Sequence, residues 1–158
     1  MCHSAQKPCL TINADNFHHG VLKHGDYHTG MHKAVLEFVI KDSLFSATLL
    51  FAKHTLLTLL TDERECITVE ISCRWGKQAS VAWAIILEHM CYSELDLRDV
   101  CVRHKSMDMW TCGRPNGKTA CYQCLSFRNE KGFLLLLAEA QLVWRNHETD
   151  SCAASTPS

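Results

Sequence analysis

A strand, a tight loop and an apolar helix follow one another within residues 66–91, and this unit restricts the chain to helices layered on a sheet. Ile67, Val69 and Ile71 alternate with Thr68, Glu70 and Ser72. A period of two with β-branched residues marks a strand. From Ala79 to about Cys91 there is no Gly or Pro, and apolar side chains run almost all round. Such a helix is buried on every side. Residues 73–78 turn between the two, with Gly76 at the tip. A helix that starts just after a strand and a short loop offers backbone N–H groups with no intrahelical partner, which suits an anion.

The rest of the chain supplies further layers. Residues 10–14 alternate and read as a first strand, and residues 15–30 as a loop at its carboxyl end, where ligands bind in open α/β sheets. Thr29 is the expected N-cap of a helix over 31–41 that turns Val35, Phe38 and Val39 to the core. Asp42-Ser43 opens a second helix over 44–60, with Phe45, Leu49, Ala52, Leu56 and Leu59 at helical spacing. A charged turn at 62–65 leads into the central unit. Val100 and Val102 predict a third strand over 99–103. Residues 104–124 are irregular and Cys-rich, and residues 130–144 form a last helix with Phe133, Leu134, Leu137, Ala140, Gln141 and Trp144 on one face.

Strands separated by helices imply an α/β fold with a mostly parallel sheet and flanking helices. The domain is expected over 10–145, between a loose N-terminus at 1–9 and a disordered small polar tail at 146–158. Three strands are few for such a sheet, so either a strand escapes notice or the domain pairs with another chain as a homo-oligomer.

At 158 residues the length fits one domain with a real core. The formal net charge of −1 gives no general case for nucleic acid. Ten cysteines are too few for a disulfide scaffold of this length, and residues 1–9 are polar with no long apolar region after them, so no secretory leader is expected. Free thiols in a reducing, cytoplasmic setting follow. The longest apolar run, 133–138, cannot span a bilayer, so no membrane partner is expected.

The loop Cys73-Arg-Trp-Gly-Lys-Gln-Ala-Ser80 carries the most chemistry. Gly76 allows close backbone approach, Lys77 brings a cation, and Ser80 can donate a hydrogen bond. A strand ending in Cys with Ser80 at the helix start resembles a thiolate phosphatase loop. The position of the phosphoryl-binding Arg is Ala79, however, and without its bidentate clamp that activity is excluded.

Residues 26–38, the helical stretch to Leu60, residues 68–81 and Val102-Arg-His104 together resemble the C-terminal domain of the RNase adapter protein RapZ family. The likeness covers residues 10–105. The family's motif is Gly-Cys-Thr-Gly-Gly-Lys-His-Arg-Ser-Val, with an upstream Thr-Gly and a later Arg-His. Thr29, Gly30, Cys73, Gly76, Lys77, Ser80, Val81, Arg103 and His104 match it, while Arg74-Trp75 and Gln78-Ala79 depart from it. The resemblance implies a domain similar to a phosphofructokinase-type subdomain that binds a phosphorylated amino sugar and RNA, as an oligomer. The family's P-loop domain is not in this sequence, so no nucleotide hydrolysis carries over.

The expected anion-binding set is His28, Cys73, Arg74, Trp75, Gly76, Lys77, Ser80 and His104. His28 is chosen from the cluster His18, His19, His24, His28 and His32 because it adjoins Thr29-Gly30. Trp75 could stack on a sugar or a base. An alternative set uses Cys112, Cys121 and Cys124 with His104 to hold zinc, since three thiolates and an imidazole close a tetrahedral site. The two sets compete for His104. The chain is thus expected to be a non-catalytic binding module for a phosphorylated small molecule and RNA, or else a zinc-stabilised interaction domain with a vestigial anion pocket. No base–nucleophile pair supports an enzyme acting on a phosphorylated sugar.

Overall fold

A computed structural model describes residues 7–17, 28–62, 64, 66–74, 78–105, 124 and 126–146. The fold is α/β, with helices packed around a small parallel sheet. The two described strands, β1 (Leu10–Asn13) and β2 (Val69–Ser72), pair parallel, with Leu10 opposite Val69 and Ile12 opposite Ile71. Between them lie helices α1 (Lys33–Lys41) and α2 (Phe45–Thr61), so the crossover is a helix pair. After β2 come α3 (Ala79–Ser93) and α4 (Lys131–Asn146).

The central strand–loop–helix unit places α3 in the middle of the molecule. Ala79 to Trp83 and Ile85 to Leu87 are buried, together with Met90. Trp83 is fully enclosed, with Phe17 and Phe45 each 5.2 Å away between ring centroids. These rings and Leu36, Leu49, Ile86 and Phe133 form one continuous core. Helix α4 packs on α1, α2 and α3 and closes that core. Lys53, buried on α2, donates from Nζ to the Trp144 carbonyl at 2.7 Å, which satisfies a C-terminal carbonyl of α4. Glu94, just past α3, accepts from Arg145 Nε and Nη2 and from Gln141.

Four local expectations are corrected. Residues 99–103 form no strand: Val100 is half-buried, Val102 is exposed, and the segment joins no ladder. The N-cap of α1 is His32, whose Nδ1 accepts from Ala34 N–H at 3.2 Å. Thr29 makes an earlier turn instead, its Oγ1 accepting from Met31 N–H at 3.2 Å. Glu130 lies before α4 and caps it, accepting from Gly132 N–H at 3.1 Å and Phe133 N–H at 2.7 Å. Phe38, expected in the core, is 37% exposed. Residues 1–6, most of the Cys-rich segment and the tail beyond Asn146 lie outside the described residues. Among the described residues no helix is long and apolar enough to cross a membrane.

Candidate functional site

Parallel pairing brings the carboxyl ends of β1 and β2 side by side, and the site is built there. Asn13 and Asp15 follow β1. The Asn13 Oδ1 accepts from Asp15 N–H at 3.0 Å, a turn that Asn side chains favour. Asp15 Oδ1 in turn accepts from Arg74 N–H at 2.6 Å, fixing the start of the loop after β2. Cys73 is half-buried, and its Sγ–H donates to Ser80 Oγ at 3.0 Å. That bond joins the two ends of the loop across seven residues.

The turn at Thr29 and Gly30 forms the second wall. Both residues are buried. A Cβ on Gly30 would overlap Ala82 N and Gln78 O and lie 2.8 Å from the Val81 carbonyl carbon. Only glycine lets this backbone lie against the first turn of α3. Gln78 Nε2 donates to the His28 carbonyl at 3.3 Å and ties the same two segments together.

Helix α3 begins in this confined place. Gln78 is 2% exposed, Ala79 0%, Ser80 7% and Val81 1%. The Gln78 side chain, at the N-cap, makes no cap hydrogen bond. Ala82 N–H is the first to find its helical carbonyl, that of Gln78, at 2.9 Å. Among the described residues, the N–H groups of Ala79, Ser80 and Val81 meet no acceptor. Buried donors of this kind are normally paired, because leaving one unpaired costs about 1–3 kcal/mol.

His28 stacks on His32 with ring centroids 3.8 Å apart, and its Nδ1 lies 3.8 Å from Cys124 Sγ. Burial lowers the His28 pKa, and the neighbouring His32 lowers it further, so the ring resists protonation. His104 is half-buried, and burial lowers its pKa too, against an opposing pull from Glu88. Glu88 lies eight residues beyond Ser80 on α3, about 12 Å along the axis. The charge that acts on His104 thus sits well along α3 from Ser80.

Of the expected anion set, Cys73 and Ser80 are hydrogen-bonded to each other, Arg74 follows with its N–H on Asp15, and His28 meets the front of α3 through its carbonyl on Gln78 while its ring lies on His32 and near Cys124. Trp75, Gly76 and Lys77 lie outside the described residues. Of the expected zinc set, Cys112 and Cys121 lie outside them as well. Cys124 is buried beside His28. Among the described residues no three His, Cys, Asp or Glu side chains gather as a metal site. Among the described residues, Cys9, Cys73, Cys91 and Cys101 are free thiols.

Sequence reasoning missed Asp15, Gln78 and His32 as builders of the site. Asp15 had a signal, since an Asx residue just after a strand is a turn former. Gln78 and His32 had none, because their partners are distant or unusual. Comparison of the chain with family models, with curated proteins and with solved structures gives no match in any of the three.

Proposed function

We propose that this chain is a non-catalytic binding domain whose guest carries a phosphate, held at the front of α3. The observation that carries the reading is the set of buried first-turn amides of Ala79, Ser80 and Val81 without an acceptor among the described residues. A phosphate oxygen would supply the missing acceptor, and the helix dipole favours its charge. The carboxyl ends of two parallel strands are also the usual place for a ligand in such sheets.

The guest class comes from the resemblance to the RapZ C-terminal domain: an amino-sugar phosphate, with RNA as a larger phosphate-bearing partner. The likeness to a phosphofructokinase-type subdomain and a cytoplasmic setting belong to the same proposal. The free thiols of Cys9, Cys73, Cys91 and Cys101 among the described residues agree with a reducing compartment. His28, on the turn that flanks α3, is neutral near pH 7 and can donate one hydrogen bond to the guest.

Calorimetric titration of the full chain with glucosamine 6-phosphate tests the reading, with unphosphorylated glucosamine as the control. Binding of the phosphate ester alone is expected. No binding of the ester, or equal binding of both sugars, overturns it. For RNA, a gel shift with a structured transcript should weaken steeply as salt rises, because phosphate contacts release counterions. A shift insensitive to salt argues against that partner.

A further inference from the structure

Among the described residues, strand β2 has an unused edge. The Thr68 carbonyl accepts from Cys9 N–H at 2.8 Å, so the backbone groups of Thr68, Glu70 and Ser72 face β1. By the alternation of a strand, those of Ile67, Val69 and Ile71 face away. Among the described residues these outward groups have no partner, and the sheet ends at β2. The strands are also unequally covered. Leu10 and Ile12 on β1 are each 3% exposed, whereas Ile67, Val69 and Ile71 are only half-buried. Parallel sheets are ordinarily enclosed, two strands are too few to stand alone, and an open edge templates further pairing.

We propose that β2 pairs antiparallel with β2 of a second copy, across a two-fold axis at Val69. The result is a four-stranded sheet with the two β2 strands at its centre. Sequence pattern and charge select this partner and this register. An isologous contact needs an edge that complements itself. With Val69 on the axis, Ile67 faces Ile71 of the second copy, and all three apolar residues meet apolar residues. The outward N–H and C=O groups of Ile67, Val69 and Ile71 then face one another as hydrogen-bonded pairs. Thr68 comes opposite Glu70 of the second copy. Moving the axis to Glu70 keeps the faces aligned but sets two carboxylates directly opposite each other, which is destabilising. A shift by one residue would turn the apolar set to the wrong face.

Sedimentation of the full chain tests the proposal. The wild type is expected at twice the mass of the chain. Val69→Pro removes only an outward N–H and leaves the ladder to β1 intact, so this variant should sediment at single mass with an unchanged helical circular dichroism signal. A wild type of single mass at every concentration, or a Val69→Pro variant that remains a dimer, overturns the proposal. Register is read separately, by mixing isotopically labelled Thr68→Cys chains with unlabelled Glu70→Cys chains and oxidising. A disulfide between labelled Cys at 68 and unlabelled Cys at 70 is expected, because the two lie in a close non-hydrogen-bonded pair. Absence of that cross-link overturns the pairing even if the proline variant fails to fold.

Discussion

Gly30 lies where two segments far apart in sequence meet without room for a methyl group. Its backbone rests on Gln78, Val81 and Ala82 in the first turn of α3. Gly30→Ala must push backbone against backbone, and a loss of at least about 2 kcal/mol in urea unfolding is expected. Unchanged stability would mean that the turn and α3 are not in contact. His28 gives a second prediction at this scale. Its folded pKa lies below the ordinary value of 6.5, chiefly through burial and then through His32. The unfolded chain therefore binds the proton first as pH falls. Stability from this group is complete above about pH 6.5 and declines below it, levelling off at the lower folded value. The melting temperature should drop between about pH 7 and pH 5, and His28→Gln should flatten that slope. His104 acts in the same direction, so the slope should not vanish. The sequence showed Thr29-Gly30 as a helix opening and His28 beside it. It could not show that Gly30 lies against α3, because that contact depends on tertiary approach and not on local pattern. The capping role of His32 was hidden for a different reason: an imidazole is an uncommon cap, and Thr29 offered the usual hydroxyl.

Among the elements, β1, β2 and helices α1 to α4 were legible to within a few residues, because each carries a strong period or a turn signal at its ends. The failure at residues 99–103 is instructive. Val100 and Val102 have the β-branched alternation of a strand, but a strand exists only with a partner, and no ladder reaches this segment. Tyr92 Oη donates to the Val100 carbonyl at 3.3 Å, which holds the segment near the end of α3 instead. Glu130 shows how a boundary shifts by a residue. Glutamate is a good helix former, so the pattern absorbed it, yet its carboxylate accepts from two first-turn amides of α4. Glu130→Ala is expected to cost about 1 kcal/mol in chemical denaturation, with the loss reduced in high salt. A neutral effect would show that the cap contributes nothing to the docking of α4.

For the whole molecule, α4 holds the fold closed by packing on α1, α2 and α3, with Lys53 and the Glu94–Arg145 clamp fixing its far end. Arg145 holds the Glu94 pKa below its ordinary value, so this clamp persists through neutral pH and is lost only in acid, well below the histidine range. The helical layers set the carboxyl ends of the two described strands beside the front of α3. The strand and helix on either side of that loop were readable from the sequence pattern. The metal alternative rested on Cys112 and Cys121, which lie outside the described residues, and on a competition for His104 that the pattern alone could not decide. The central claim is that buried amides at the start of α3 await a phosphate. It is tested most directly by melting the full chain with glucosamine 6-phosphate at about a hundred times its dissociation constant. A rise of about 5–10 °C is predicted, with none for glucosamine alone. An unmoved melting temperature, or the same rise with the unphosphorylated sugar, contradicts it.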